Sequence, residues 1–401
     1  MWEKAFDLML SRLLRQGNLT VTLPSGAMRH FGDGSGASVH VRIHDLPTLK
    51  RLVLNPELAL GESYMNGVLT IEGGDLQTLI AMIVSNRDDA PRVWWQRVLP
   101  QLRIALRRFS QQNPVTRSRR NVAHHYDLSD ELYALFLDED RQYSCAYFHS
   151  PDDTLEDAQR QKKHHIARKL MIEPGMRVLD IGCGWGGMAR TLARDHGAEV
   201  LGITLSERQH AYAVKRAEAE GLSDKITYQL CDYRKVEGRF DRIVSVGMFE
   251  HVGLPHYDRY FNAVRDLLKD DGLALIHTIG WTARPDATNP WIAKYIFPGG
   301  YIPTVSEVMR SVERSNLWVS DIEPWRLHYA LTLDHWIQRF EAHRDEIAAL
   351  YDDRFIRMWR FYLVASAETF RHGRQAVFQF QLSRKMGTAP LTRDYIYAAK
   401  S

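Results

Sequence analysis

One stretch, residues 177–187, constrains the fold of this chain more than any other, and it reads RVLDIGCGWGG. The run from Val178 to Ile181 is apolar except for Asp180, and a helical pattern, MARTLARDHG, follows the stretch. Its glycines are Gly182, Gly184, Gly186 and Gly187. Glycine suits a sharp turn after a buried strand because it adopts positive φ and leaves room for a ligand beside the backbone. The pattern predicts a strand, a tight turn and a helix start, with two alternatives: a cofactor site or a closely packed turn without a ligand.

Strand-like and helical segments alternate through the rest of the chain, which predicts a doubly wound α/β sheet. The further apolar runs predicted as strands are AEVLGIT, KITYQLCD, FDRIVSVGM, LALIHTIG, LWVSDIEPW and QAVFQFQLSRK. Together with the strand before the glycine turn they make seven. Helices rich in aromatic residues, from about Thr332 to His372, are typical of a packed core; in a protein that holds a fatty chain they also suit a tunnel lining.

Three segments of the chain differ in composition. Residues 1–90 combine an amphipathic helix with short alternating strands and predict a small α+β domain of a lipid-binding or dimerisation type. The glycines of HFGDGSGASV within it predict a hairpin loop. Residues 91–120 contain eight arginines and no acidic residue, interleaved with apolar side chains such as Trp94 and Trp95. Residues 121–401 carry the alternation of strands and helices and are predicted to form the catalytic domain.

The basic segment, residues 91–120, has several possible roles. A basic amphipathic helix with tryptophans is typical of peripheral membrane binding, and each arginine that reaches anionic lipid contributes up to ~1 kcal/mol. The alternative is a solvated helical linker between two domains. Nucleic acid is disfavoured as a partner because no readout motif accompanies the arginines. We expect contact with an anionic membrane surface.

Composition sets only broad limits. The 401 residues are 45% hydrophobic and 25% charged with a net charge of +3, which predicts a globular protein of two or three domains. The three cysteines, Cys145, Cys183 and Cys231, show no CxxC or His–Cys spacing, so we predict neither a disulfide framework nor a metal site. The first helix lacks the continuous apolar core of a signal peptide, and no apolar run reaches the ~20 residues that a membrane-spanning helix needs. These features predict a cytoplasmic protein.

The ends of the second and third strands distinguish two classes of cofactor. A dinucleotide fold usually places Asp or Glu after the second strand for the ribose hydroxyls, but this chain has Thr204, Ser206 and Gln209 there. The third strand ends at Asp232 and Tyr233, where a carboxylate beside an aromatic ring suits an adenine amino group. A late antiparallel strand also fits a class I methyltransferase better than a dehydrogenase. The sequence therefore favours S-adenosylmethionine.

Several motifs together resemble the cyclopropane-fatty-acyl-phospholipid synthase family, which includes the mycolic-acid cyclopropane synthases. They are DIGCGWGG, GITLS, QYSCAYF, RIVSVGMFEHVG, LIHTIG and NPWIAKYIFPGG. The similarity runs from about Leu60 to the carboxyl end. It implies an S-adenosylmethionine-dependent enzyme that acts on cis double bonds of lipids, and a homodimer. Because the mycolic-acid enzymes lack the amino-terminal domain, the resemblance favours whole phospholipids over carrier-bound chains as substrate.

The expected chemistry requires negative charge near a carbocation and a base. Glu250, His251 and His277 lie just past two strands, where ligands bind in open α/β sheets. The resemblance implies a bicarbonate base held by Cys145, Glu250, His277, the Ile279 backbone and Tyr329. It also implies a cofactor site formed by Tyr143, Ser144, Gly182, Gly184, Gly187, Thr204, Gln209, Asp232 and Tyr233. Without the resemblance, the sequence predicts that His277 is a core histidine. It also predicts that Cys145 is a small buried residue that no adjacent base activates.

Three rival functions stay open at this point. A hydride shift before proton loss gives a methyl- or methylene-branched chain instead of a ring. A lipid-binding protein that has kept the fold without catalysis is the second rival, which the glycine turn and the complete polar set argue against. Methylation of a small molecule is disfavoured by the basic segment and the additional domain.

Overall fold

The computed structural model describes residues 1–87 and 128–397 of the chain. The predicted basic segment, residues 91–120, lies outside the described residues, as does the predicted membrane contact that it carries. Among the described helices, none combines the length and the apolar character that crossing a membrane requires.

Helices and strands alternate as the sequence predicts. The α-helices are Trp2–Leu13, Leu46–Leu54, Pro56–Met65, Leu76–Arg87, Asp130–Phe136, Leu155–Lys169, Gly187–His196, Glu207–Ala219, Tyr257–Leu267, Pro290–Tyr295, Val305–Arg314, His328–Ala342, Arg344–Leu350, Asp353–His372 and Asp394–Tyr397. Short 3₁₀ turns are Tyr233–Lys235, Phe249–His251 and Leu254–His256. The strands are β1 (Asn18–Thr22), β2 (Met28–Phe31), β3 (Ser38–Ile43), β4 (Leu69–Gly73), β5 (Arg177–Ile181), β6 (Glu199–Thr204), β7 (Ile226–Leu230), β8 (Phe240–Val246), β9 (Leu268–Trp281), β10 (Trp318–Trp325) and β11 (Gln375–Ser383).

The described residues form two compact units. The first contains residues 1–87, 286–298 and 333–374. The second contains residues 128–285, 299–332 and 375–397. The segment predicted as the catalytic domain, residues 121–401, therefore contributes two stretches to the first unit.

The second unit is built on a seven-stranded sheet with the order β10-β11-β9-β8-β5-β6-β7. Strands β5 to β9 run parallel, and β11 is antiparallel to both of its neighbours. The predicted mostly parallel sheet with a late antiparallel strand is confirmed. Chain order reverses at β5, with β6 and β7 on one side of it and β8 and β9 on the other. In such sheets the crevice at the carboxyl ends of the strands beside the reversal is where ligands bind.

The central strands have apolar sequences because they are buried on both faces. Leu179 in β5, Ile243 in β8 and Leu275 in β9 are all inaccessible to solvent. Helices cover the two faces with separate apolar clusters, one around Tyr260 and Phe261 and the other around Met188 and Leu192. The carboxyl ends of the parallel strands are thereby held at one rigid edge of the sheet.

The first unit contains a four-stranded sheet with the order β2-β1-β3-β4 and four helices from its amino-terminal part, which confirms the predicted small α+β domain. The prediction of a hairpin at the glycines between β2 and β3 was wrong. Strand β1 lies between them and pairs parallel with β3, so that loop crosses over β1, and the hairpin is the turn between β1 and β2. Gly32 has a φ of 93°, and a Cβ on it would lie 2.1 Å from the carbonyl oxygen of Gly17.

Residues 286–298 pack in the first unit against the helix Pro56–Met65. Trp291 is 1% exposed, and a Cβ on Gly61 would lie 2.5 Å from its indole nitrogen. The Glu62 carboxylate accepts hydrogen bonds from Lys294 Nζ at 2.7 Å and Tyr295 Oη at 2.9 Å. Most of the aromatic side chains predicted as core between Thr332 and His372 are buried in this unit, namely Trp336, Phe340, Trp359, Phe361, Tyr362 and Phe370.

Candidate active site

A cavity of about 1130 Å³, including the space at its mouth, opens at the carboxyl ends of β5 to β8 in the second unit. Eight of the ten predicted cofactor residues line it: Tyr143, Ser144, Gly182, Gly184, Thr204, Gln209, Asp232 and Tyr233. Gly187 and Ser206 lie beside the cavity without lining it. None of the five predicted catalytic residues is part of this lining.

The glycine turn between β5 and the helix Gly187–His196 has the backbone that its sequence predicts. Gly182 and Gly186 both have a φ of 83° and Gly184 a φ of 54°, which other residues rarely adopt. A Cβ on Gly182 would lie 2.7 Å from Met248 Cβ. Gly187 lets a neighbouring segment approach, since a Cβ there would lie 2.4 Å from Gln142 Nε2. The turn leaves the amino end of the helix facing the cavity, which suits the carboxylate of an amino-acid-like cofactor.

Asp180 is a cavity residue that sequence reasoning missed. It is 2% exposed and lines the cavity, and its Oδ2 has no hydrogen-bond partner among the described residues. Burial raises the pKa of Asp180 to about 7, opposed by the Lys162 ammonium. An unpartnered buried carboxylate calls for a cationic donor, and the ammonium group of S-adenosylmethionine is one. A lone carboxylate in an otherwise apolar strand directly before the glycines was the signal.

Three polar residues follow β6 and bond to one another. Thr204 Oγ1 donates to Gln209 Oε1 at 3.0 Å, and Gln209 N donates to Ser206 Oγ at 3.3 Å. Ser206 is the amino-terminal cap of the helix Glu207–Ala219, so its role in the structure is to start that helix. The first bond engages the amide oxygen of Gln209 and leaves its NH₂ group as the donor available for a ribose hydroxyl.

Asp232 and Tyr233 lie together after β7, as predicted for an adenine subsite. Asp232 is 3% exposed, and its carboxylate already accepts from Arg234 Nε at 2.7 Å and from Arg234 Nη2 at 2.6 Å. Each carboxylate oxygen accepts more than one bond, so this ion pair fixes the carboxylate and leaves acceptor capacity for an amino group. Arg234 was not predicted from the sequence.

One wall of the cavity, beside Gly187, is formed by Gln142, Tyr143 and Ser144, within the irregular segment that the sequence predicts at residues 142–148. The Tyr143 ring meets Tyr133 edge-on at 5.4 Å between centroids. Gln142 was not predicted as a cavity residue.

Two of the predicted catalytic residues, Glu250 and Ile279, are hydrogen-bonded to each other. Glu250 lies in the 3₁₀ turn after β8, and its Oε1 accepts a hydrogen bond from Ile279 N of β9 at 2.7 Å. Its Oε2 is buried without a hydrogen-bond partner among the described residues. Burial raises the pKa of Glu250, and the Ile279 N–H, the Glu250 backbone and the Thr278 hydroxyl, which makes no hydrogen bond to Oε2, oppose that rise. The backbone N–H of Ile279 is thus engaged by Glu250, and the Ile279 carbonyl accepts from the Thr278 hydroxyl at 3.1 Å.

His277 lies two residues before Ile279 on the same strand and is 2% exposed. Gln379 of the neighbouring strand β11 donates from Nε2 to His277 Nδ1 at 3.2 Å, if the ring carries its proton on Nε2. Its ring also meets the Trp325 indole edge-on at 5.0 Å. Burial lowers the pKa of His277 well below its usual range, and the positive charges of Lys162 and Lys169 lower it further. The imidazole is therefore neutral and suited to hydrogen bonding.

Thr332 links the segment that contains Cys145 to the helix that contains Tyr329. Ala146, the neighbour of Cys145, donates its N–H to Thr332 Oγ1 at 3.0 Å, and Thr332 lies one helical turn after Tyr329. Cys145 is inaccessible to solvent and Tyr329 is 8% exposed. Burial raises the pKa of the Cys145 thiol, so it is a neutral hydrogen-bonding group rather than a thiolate nucleophile.

Comparison with known proteins identifies the family. The model of the mycolic acid cyclopropane synthetase family matches residues 113–380, and a domain family of unknown function matches residues 5–92. The chain is 40% identical to the cyclopropane-fatty-acyl-phospholipid synthase of Escherichia coli K12 over 87% of this chain and 88% of that protein. It is 36% identical to the tuberculostearic acid methyltransferase UfaA1 of Mycobacterium tuberculosis over 94% of this chain and 91% of that protein.

A solved structure confirms the fold. The mycolic acid cyclopropane synthase CmaA1, complexed with SAH and CTAB, matches with a TM-score of 0.63 and 33% identity over 68% of this chain and 99% of that one. The predicted class I methyltransferase fold is thereby confirmed. With the glycine turn and the cavity at the strand ends, these matches show that the chain belongs to the mycolic acid cyclopropane synthetase family and is an S-adenosylmethionine-dependent methyltransferase.

Proposed function

We propose that this enzyme is a cyclopropane fatty acid synthase that transfers a methylene group from S-adenosylmethionine to cis double bonds of phospholipid acyl chains. One observation carries the proposal: Glu250 presents a buried carboxylate oxygen with no partner among the described residues, fixed through its other oxygen by Ile279. Methylation of an oxygen or nitrogen does not create a carbocation, whereas methylation of an alkene does. A fixed, buried negative charge is what such a cation requires.

The cofactor supplies an electrophilic methyl group. The alkene π electrons form the new carbon–carbon bond to that methyl as its bond to sulfur breaks, which leaves a carbocation on the lipid. Loss of a proton from the new methyl releases the electron pair that closes the ring. Glu250 stabilises the cation, and neutral His277 and Cys145 provide hydrogen bonds in a site that excludes water.

Bicarbonate is the proposed base of this site, where it would accept the proton. The residues proposed to hold it are Cys145, Glu250, His277, Ile279 and Tyr329. These residues fit bicarbonate in part. The thiol of Cys145, the phenol of Tyr329 and the imidazole of His277 are polar groups that can hydrogen-bond to it. The Ile279 carbonyl has one acceptor site already occupied by the Thr278 hydroxyl.

Substrate delivery supports a peripheral location at the inner face of the cell membrane. Drawing about nine methylenes of an acyl chain from a bilayer into water would cost ~7 kcal/mol at roughly 0.8 kcal/mol for each CH₂. The enzyme must therefore dock on the bilayer. The arginines of residues 91–120 are the proposed contact with anionic lipid, and a homodimer is proposed on the family resemblance.

Charge reversal at Arg103, Arg107 and Arg108 to Glu is expected to lower binding to anionic vesicles about tenfold or more, since each arginine contributes up to ~1 kcal/mol. Activity on vesicles should fall with it. The measurement is co-sedimentation with vesicles beside the transfer of labelled methyl groups. A triple Lys variant, which keeps the charge, is the matched control. Unchanged sedimentation of the Glu variant would refute a role for this segment.

The substrate class is tested with methyl-labelled S-adenosylmethionine and vesicles of equal charge that differ only in their acyl chains. We expect label in the lipid from cis-monounsaturated phospholipid and none from the saturated counterpart. Label in both, or only in a headgroup, would overturn the proposal.

A methyl- or methylene-branched product is the second candidate, because a relative that aligns with most of this chain is named as a methyltransferase rather than a cyclopropane synthase. Both pathways begin with the same cation. In the methylene-branched pathway a hydride shift moves the positive charge to the methylated carbon before the methyl group loses its proton, and a saturated methyl branch would need an external hydride donor.

A further inference from the structure

The wall of the cofactor cavity beside Gly187 has no regular secondary structure of its own. It consists of Gln142, Tyr143 and Ser144, and Cys145 follows directly. A binding wall without helix or sheet hydrogen bonds needs another source of rigidity.

Two side chains of the helix Leu155–Lys169 supply it. Gln159 Nε2 donates to the carbonyl oxygens of Gln142 and Ser144 at 3.2 and 3.0 Å. Lys162 Nζ donates to the side chains of the same two residues, to Gln142 Oε1 at 2.9 Å and Ser144 Oγ at 2.8 Å. Gln159 and Lys162 are three residues apart and therefore share one face of the helix. Four hydrogen bonds thus hold the wall from behind.

Both side chains are buried, at 1% and 0% exposure. Burying an ammonium group is costly unless it has partners, and Asp138, which is 3% exposed, supplies a nearby opposite charge. Asp138 also accepts from Gln142 N at 2.7 Å, so it fixes the start of the same wall. Burial lowers the pKa of Lys162 to about 7, opposed by Asp138.

We propose that Gln159 and Lys162 are positioning residues that hold residues 142–144 in the shape that binds the cofactor. Neither side chain lines the cavity. Gln159 acts through Gln142 and Ser144, and Lys162 acts through the same two residues and through its charge on Asp180. The alternative is a purely structural role in the core, which affects folding but not cofactor affinity.

The test is calorimetric titration of the full-length protein with SAH, which depends on no lipid substrate. Lys162→Met and Gln159→Met are each expected to raise the Kd for SAH about tenfold or more, since each loses two of the four hydrogen bonds that hold the wall. Lys169→Met is the matched control. Lys169 lies on the same helix, is also fully buried and binds Asp321 and Glu323 of β10, both at 2.9 Å.

Lys169→Met is expected to lower the Tm and leave the Kd for SAH within about twofold of wild type. If the Lys162 and Gln159 variants fold and keep the wild-type Kd, or if the Lys169 variant weakens SAH binding equally, the proposal is wrong. If Lys162→Met does not fold, Gln159→Met decides, because that change leaves no unpaired buried charge. In the wild-type protein, normal SAH binding without any lipid methylation would count against the proposed function alone.

Discussion

Replacing Glu250 with Gln is expected to lower turnover by about 10³-fold or more while the Kd for SAH stays within a few-fold of wild type. The amide preserves the shape of the side chain and an acceptor for Ile279 N–H, which Glu250 Oε1 binds at 2.7 Å. It removes the negative charge that the carbocation requires. Glu250 does not line the cofactor cavity, so cofactor affinity should survive. The measurements are initial rates on cis-monounsaturated vesicles and calorimetry with SAH.

Glu307→Gln is the control for this substitution. Glu307 closes a capping box at the start of the helix Val305–Arg314, a role that Gln also fills, so activity should stay within about twofold.

Depleting bicarbonate from the wild-type assay should lower turnover and its return should restore it. If Glu250→Gln abolished SAH binding instead, Glu250 would be a cofactor or structural residue and its catalytic assignment would be wrong.

Asp180→Asn is expected to have two effects of opposite sign: a more stable cofactor-free protein at pH 8 and weaker cofactor binding. Burial raises the folded-state pKa of Asp180 from its ordinary value of 3.8 to about 7. Its contribution to stability is therefore fully present below about pH 4 and is lost as the pH rises through 7. The loss is on the order of 4 kcal/mol, since each pKa unit corresponds to about 1.4 kcal/mol. The amide of the variant does not ionise, so the variant does not lose this stability.

The same substitution removes the charge that the cofactor ammonium is expected to pair with. The Kd for SAH should rise roughly 10- to 100-fold, because a hydrogen bond to a charged group contributes about 1.5–3 kcal/mol. The Tm of the wild-type protein should fall between pH 5 and 8 by more than that of the variant. An unchanged Kd for SAH would show that Asp180 does not contact the cofactor, and parallel Tm curves would show that it does not ionise in this range.

Local sequence patterns predicted the sheet and the glycine turn. The seven strand sequences have the apolar runs of buried strands, and Gly182, Gly184 and Gly186 adopt positive φ as the turn requires. The polar residues after β6 and β7 lie at the cavity because parallel strands end at a common edge. Family resemblance was needed for Cys145 and Tyr329, whose sequence surroundings carry no catalytic signal.

Contacts between distant segments were not predictable in this way. The parallel pairing of β1 with β3 depends on a crossover that the glycine loop does not encode, and the hairpin prediction failed there. The packing of Trp291 against Gly61 places residues 286–298 in the first unit, although their sequence continues that of the catalytic domain. In the sequence, Gln159 and Lys162 are polar residues of an ordinary helix. Their role depends on hydrogen bonds to Ser144, which lies in a different segment.

The identity of the lipid product tests the proposed function most directly. The purified protein is incubated with S-adenosylmethionine and anionic vesicles of cis-monounsaturated phospholipid, and proton NMR is taken of the extracted lipid. Ring and methylene products are isomers, so mass alone does not separate them. We predict the upfield signals of cyclopropane ring protons. Vinylic methylene signals would keep the cation chemistry but contradict ring closure, and the absence of any modified lipid would contradict the proposed function as a whole.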